Sequence, residues 1–206
     1  MTKLGHVLWI GGSTCSGKSE LARRIARRPG YALYRVDERE PKTLDHVDGR
    51  HYPSFARWAE MSLDERWVRS SVDELVADTL ALCGDLFEMV VTDLAADPTP
   101  TIVEGFQLLP ELVAPVIPTS RHAVFLVATP EFRRATHYAR AHAWTMPVRT
   151  SDPERSQRNR LERDDRVGEH VARAASERDL KTIVVDGSRA LDDVATQVEA
   201  HLELAH

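Results

Sequence analysis

Apolar residues along this chain keep two alternating rhythms. Five short runs carry no period of two: His6-Val7-Leu8-Trp9-Ile10, Tyr31-Ala32-Leu33-Tyr34-Arg35-Val36, Thr101-Ile102-Val103, Ala123-Val124-Phe125-Leu126-Val127 and Lys181-Thr182-Ile183-Val184-Val185. Runs of strand length without alternation predict strands buried on both faces, as in a parallel sheet covered by helices. Between them the spacing becomes helical. Leu21, Ala22, Ile25 and Ala26 share a face after the first run, and a stripe from Leu75 through Thr79, Cys83, Leu86, Phe87 and Val90 predicts a long helix to about Leu94. Leu191, Val194, Ala195, Val198 and Leu202 predict a closing helix. Capping boxes at Ser62–Glu65 and Ser71–Glu74, a Thr129-Pro130 start, and a Pro29-Gly30 stop punctuate the pattern. Strand and helix in alternation predict one α/β domain over residues 1–206, a five-stranded parallel sheet between two helix layers.

Two stretches fit neither rhythm. Residues 38–70 carry no clean period before Ser62, and residues 133–165 combine many arginines with an irregular part, 143–157, expected to be a mobile loop. Both are predicted to be insertions around one site: the first binding an acceptor, the second acting as a lid.

Composition narrows the classes. The net charge of −5 argues against a general nucleic-acid binder. No window approaches the ~18 uncharged apolar residues of a membrane span. The first strand begins too early for a signal peptide, and Cys15 and Cys83 form no disulfide or metal spacing. These features predict a soluble, cytoplasmic protein with a small-molecule partner, as a monomer or a homodimer. Basic charge comes from 23 arginines and only 4 lysines, so Lys18 stands out.

Lys18 belongs to the one motif of high specificity. Gly12-Ser13-Thr14-Cys15-Ser16-Gly17-Lys18-Ser19 fits G-x-x-x-x-G-K-[ST], with a strand before it and a helix, starting at Glu20, after it. Glycines let successive N–H groups turn inward onto phosphate oxygens, and the helix N-terminus adds partial positive charge. The lysine reaches the β- and γ-phosphates and the serine offers a hydroxyl to Mg²⁺. The chemistry predicted is ATP and Mg²⁺ binding by Gly12 through Glu20. Cys15 sits near a helix N-terminus, which can lower a thiol pKa, so an oxidation switch is one reading and a variable loop position the other.

The order of motifs resembles the small P-loop kinases, the group holding nucleoside monophosphate, shikimate and gluconate kinases. The segment Ile10 to Ser19 is similar to the loops of 2-phosphoglycerate kinase and chloramphenicol phosphotransferase, and Val103-Glu104-Gly105-Phe106-Gln107-Leu108-Leu109-Pro110 is similar to a strand of 2-phosphoglycerate and uridine kinases. The resemblance spans nearly the whole chain and implies the P-loop NTPase fold and ATP-dependent phosphoryl transfer. It implies Asp37 as the acid that orients the acceptor hydroxyl, with Glu38 and Glu40 as substitutes. It implies Glu104 beside Ser19 in holding the metal, Gly187 and Ser188 in the adenine-contacting loop, and lid arginines on the nucleotide. Arg133, Arg134, Arg158 and Arg163 are the candidates for the last; Arg158 and Arg163 are read as catalytic. An Asn-Lys-x-Asp guanine reader is absent.

For the acceptor, Arg39, Arg50, His51, Tyr52 and Arg57 lie together in the segment after the second strand. Arginine forks suit carboxylate or phosphate, so an anionic acceptor is expected there. Two further readings stay open, a nucleotide-binding regulator with weak ATPase activity and an antibiotic-modifying phosphotransferase.

Overall fold

The computed structural model describes residues 3–39 and 48–204; residues 40–47 of the expected acceptor segment lie outside the described residues. Five parallel strands lie in the order β2-β3-β1-β4-β5: β1 (Val7–Gly12), β2 (Ala32–Arg35), β3 (Thr101–Glu104), β4 (Ala123–Ala128) and β5 (Lys181–Val185). Central β1 is buried along its whole length, as its unbroken apolar run requires. Its register pairs Ile10 with Glu104 and Gly12 with Leu126, so the carboxyl ends of β3, β1 and β4 finish side by side.

Alternation along β1 sends side chains to two cores. Leu8 and Ile10 pack with Leu21 and Ile25 of α1 (Lys18–Ala26) and with Val194 and Val198 of the closing helix, Leu191–His201. Val7 and Trp9 face Cys83, Leu86 and Phe87 of the long helix Val72–Ala96, and Val171 and Ala175 of the helix Pro153–Ser176. The sheet is therefore the middle layer of three, in the P-loop NTPase arrangement. In chain order, the helices after α1 are α2 (Pro53–Glu60), α3 (Val72–Ala96), α4 (Pro110–Val113), α5 (Pro130–Tyr138), α6 (Pro153–Ser176) and α7 (Leu191–His201).

Local signals act where expected. Ser71 and Glu74 form the full reciprocal capping box of α3, and Thr129 accepts from the Phe132 N–H ahead of Pro130. Three elements differ from the sequence reading. The second strand stops at Arg35 and residues 36–39 turn helical, which moves Asp37 off the strand end. The Ser62–Glu65 box opens only a short helix that widens into a π turn over Glu65–Arg69. The stretch 143–157 is no single loop: turns and a 3₁₀ turn at Pro147–Arg149 lead into α6, whose cap Asp152 accepts from the Arg155 N–H.

Candidate active site

The P-loop is built by backbone that only glycine supplies. Gly12 has φ +125°, and a Cβ there would stand 2.0 Å from the Leu126 carbonyl oxygen. Gly17, at φ +84°, is the left-handed cap of α1. Ser13 pins the loop to the end of β4: its N–H donates to Leu126 O at 2.9 Å and its Oγ accepts from Ala128 N–H at 2.8 Å. Ser16 Oγ donates to Ser13 O, and the Lys18 ammonium donates to the same carbonyl.

The ammonium is thus enclosed by the loop. Desolvation lowers the Lys18 pKa from 10.5 to about 8, with the charges of Glu104 and Asp37 opposing the shift. A buried cation whose partner is a neutral carbonyl, ringed by backbone turned at glycine, suits phosphate oxygens.

Two acids flank it. Glu104 ends β3 at 1% exposure; its carboxylate accepts from Ser19 Oγ at 3.1 Å and from Arg35 Nε at 3.3 Å. Ser19 and Glu104 together present hard oxygen donors of the kind Mg²⁺ takes. Asp37 is exposed and accepts from Gln107 Nε2 at 2.8 Å. Gly105 permits this fold-back, since a Cβ there would lie 2.8 Å from both Gln107 Oε1 and Val36.

Helix α6 crosses over the loop. A Cβ on Gly168 would meet the Ser13 side chain at 3.3 Å. One turn earlier, Asp164 accepts from Thr14 Oγ1 at 3.0 Å and pairs with Arg163 Nε at 2.8 Å. Arg163 donates onward to Thr79 Oγ1 at 2.9 Å and lies over the Trp67 ring, 5.1 Å from its centroid. Asp164 therefore ties the P-loop to a side chain facing the far side of the site.

The other expected lid arginines are placed differently. Arg133 is 1% exposed and held by Asp165 and the Leu161 carbonyl, so it braces α5 against α6. Arg134 is exposed and binds the other oxygen of Asp165 at 2.8 Å. Gly187, at φ +85°, sits so close to Phe132 that a Cβ would be 2.8 Å from its ring, and Ser188 binds Asp186. Arg158 is on the solvent face with Glu154 at 3.8 Å. Cys15 is buried, and burial raises rather than lowers its pKa, removing the electrostatic basis for a reactive thiol.

Two arginines not singled out from the sequence stand closer to the chemistry. Arg140, just past α5, makes no ion pair among the described residues, and its charge lowers the pKa of both Lys18 and Cys15. Arg160 is partly buried, and desolvation lowers its pKa, opposed by the Asp164 carboxylate and reinforced by the charges of Arg163 and Arg140. A usable signal existed for Arg140, which has no acid three or four residues away.

The acceptor candidates do not gather at Asp37. Arg39 binds Asp93 at 2.8 Å, beside Tyr34, whose hydroxyl donates to the same acid at 2.6 Å. His51 lies 3.0 Å from Glu88 with Tyr52 edge-on to its ring, and Arg57 pairs with Asp78 at 3.0 Å. Arg50 is exposed, and its N–H donates to Asp48. Beside Asp37 the chain instead forms a cavity of about 240 Å³ between α2, the π turn, α3 and α6, with Gln107, Arg160 and Arg163 in its wall.

No helix among the described residues is long and apolar enough to cross a membrane. No protein-family model matches the chain. A cytidylate kinase of Cupriavidus pinatubonensis is 27% identical over 150 residues, covering 65% of this chain and 68% of that protein. Among solved structures, TT1252 of Thermus thermophilus aligns with a TM-score of 0.49 at 18% identity, over 97% of this chain and 98% of that one. An unliganded sugar kinase from Janibacter sp. aligns with a TM-score of 0.46 at 17% identity, over 100% and 96%. The chain is thus similar to a curated kinase over about two thirds of its length, and its strand order with the glycine loop after β1 is that of the P-loop NTPase fold.

Proposed function

We propose that this chain is an ATP-dependent phosphotransferase acting on a small molecule. The observation that carries the reading is the meeting of three parts at the carboxyl edge of β2, β3 and β1. These are the glycine loop closed on Lys18, the Ser19–Glu104 pair, and Asp37 held by Gln107 next to a separate cavity. In parallel sheets ligands bind beyond the carboxyl ends of strands, and the site has room for two of them. The similarity to a cytidylate kinase supports the same reaction class.

In this reading the parts divide the work as follows. Gly12 through Ser19 hold the phosphates, with Lys18 neutralising the β- and γ-groups. Arg134, Gly187 and Ser188 border the base side. Ser19 and Glu104 would hold Mg²⁺, which would supply charge neutralisation at the transferring group. An acceptor oxygen attacks the γ-phosphorus, the bond from phosphorus to the β–γ bridging oxygen breaks, and ADP leaves with that electron pair. Asp37 takes the acceptor's proton. Arg140 meets the charge that spreads over the transferring oxygens, while Arg160 and Arg163 face the acceptor cavity.

The test is a thermal-shift titration with a non-hydrolysable ATP analogue and Mg²⁺, followed by ADP-release assays across candidate acceptors. Saturation at about 100 times Kd stabilises by about 2.7 kcal/mol, a rise of about 5–10 °C for a chain of this size. A chain that shows no shift, or that binds the analogue and releases no ADP with any acceptor, overturns the reading.

A further inference from the structure

The cavity beside Asp37 is unlike the charged surface expected from the sequence. Its walls are Phe55 and Trp58 from α2, Trp67 from the π turn, Leu82, Cys83 and Leu86 from α3, and Phe106 and Met146 from two loops. The polar atoms in that wall are few and mostly committed. Thr79 donates to the Leu75 carbonyl and accepts from Arg163. Arg163 is neutralised by Asp164 and stacked on Trp67. Gln107 holds Asp37. Arg160 alone of these makes no hydrogen bond or ion pair among the described residues, although it is partly buried. The Asp164 carboxylate whose charge reaches it is already paired with Arg163, so Arg160 is a half-buried guanidinium with no hydrogen-bonded anion of its own among the described residues, and an anion arriving with a ligand supplies one.

We propose that the acceptor is a small aromatic alcohol carrying one anionic group, with its ring against the edge-to-face pair of Trp58 and Trp67, its anion on Arg160 and its hydroxyl at Asp37. This rests on the phosphotransferase reading and narrows it. The choice against a sugar or polyol acid follows from hydrogen-bond supply. A polyol puts a hydroxyl on nearly every carbon, and against Phe55, Leu82, Cys83 and Leu86 those hydroxyls find no partner. Each buried hydroxyl left unsatisfied costs about 1–3 kcal/mol. A ring gains instead from stacking and edge contacts with Trp58, Trp67 and Phe106. The volume, below the usual range of about 300–1,000 Å³ for ligand pockets, suits one ring and a short side chain. In the reaction the ring-bearing alcohol's oxygen forms the new bond to the γ-phosphorus of ATP, ADP departs with the bridging electron pair, and Asp37 receives the proton.

Trp58 and Trp67 are reporters already in place. Phenyllactate, gluconate and neutral phenylethanol are titrated into the full chain without nucleotide, with tryptophan fluorescence as the readout. Phenyllactate is expected to change the emission and to bind at least about tenfold more tightly than gluconate of equal charge. The change is expected to be lost in a Trp58→Phe, Trp67→Phe double variant. Arg160→Gln is expected to weaken phenyllactate about tenfold or more and leave phenylethanol within about twofold. Circular dichroism and melting of each variant establish its fold, and Arg160→Lys, expected to restore part of the affinity, serves if Arg160→Gln is unstable. Gluconate binding as tightly as phenyllactate, or an Arg160→Gln variant with unaltered phenyllactate affinity, overturns the proposal. ADP release with wild-type chain separates the two readings. Aromatic acids that bind, with ADP formed from no acceptor, sink the phosphotransferase reading and leave the ligand class standing. ADP formed from polyols and from no aromatic alcohol does the reverse.

Discussion

The two ends of the site are made in opposite ways. The nucleotide end comes from one stretch of eight residues, and its geometry is closed by partners a few positions away: Ser16 and Lys18 on Ser13, Gly17 capping α1. The acceptor end draws on α2, the π turn, α3, the loop after β3 and α6, with contacts such as Arg163 to Thr79 that join residues 84 positions apart. A local motif fixes its own shape, so substitutions in it act on chemistry. A wall gathered from many elements is fixed by the fold, so substitutions there act on selection and alignment.

The largest effect expected is at the local end. Lys18→Ala should lower turnover by at least about 10²–10³-fold while leaving the melting temperature near that of the parent, since the lost group is a buried cation without a carboxylate partner. Steady-state ADP release with a melting curve checks it; retained activity would remove the nucleotide end from the comparison.

The next effect tests the assembled end. Arg163→Ala should cost about 10²-fold in kcat/KM, because the side chain links Asp164 to Thr79 and Trp67 and its loss misaligns the wall. Arg158→Ala should stay within about twofold, because an exposed pair four residues apart contributes only about 0.3–0.5 kcal/mol. Equal losses in the two variants would show that position along α6 does not matter.

A third measurement concerns the charge state of Lys18. Below pH about 8 native and unfolded chains both hold its proton, so this group gives no slope. Between about 8 and its ordinary 10.5 the unfolded chain holds more protons, so native stability rises with pH, by up to about 3 kcal/mol across that window. Phosphates favour the ammonium, so binding of an ATP analogue near pH ~9 should take up a proton, whereas binding near pH ~6.5 involves none at this group. Calorimetry in buffers of different ionisation enthalpy reads the uptake directly, and equal heats after buffer correction at both values would contradict it.

The smallest effect lies outside both ends. Ser71→Ala removes the capping box of α3 and should lower the melting temperature by about 2–4 °C with unchanged KM for nucleotide.

What the sequence discloses divides along the same line. The strands and the phosphate loop follow from short-range signals: the apolar runs, the glycine spacing, the caps. Glu104 stands at the end of its strand as read, whereas Asp37 lies in a helical turn past the end of β2. The acceptor wall does not, because its residues are ordinary core formers until brought together. Phe55 and Trp58 read as residues that pack the segment down, and Trp67 carries no local mark. Arg39 and Arg57 look like anion binders in a list of neighbours, yet Asp93 and Asp78 reach them from α3, 54 and 21 residues away. Arg133 was legible as a lid arginine only until its burial against Asp165 was visible.

One consequence follows from the course of α6. The first half of this helix lines the cavity through Arg160 and Arg163, while its second half is locked into the sheet core by Val171, Ala174 and Ala175, with Gly168 against the P-loop. The same helix also holds the π turn, through Asn159 donating to the Trp67 carbonyl at 3.0 Å and Arg163 over the Trp67 ring. The wall not fastened to it is α2, which is seated on α3 by the buried Phe55 and by the Asp85 carboxylate that accepts from the N–H groups of Ser54 and Phe55. The acceptor end thus has one wall braced by the phosphate loop and one braced by α3.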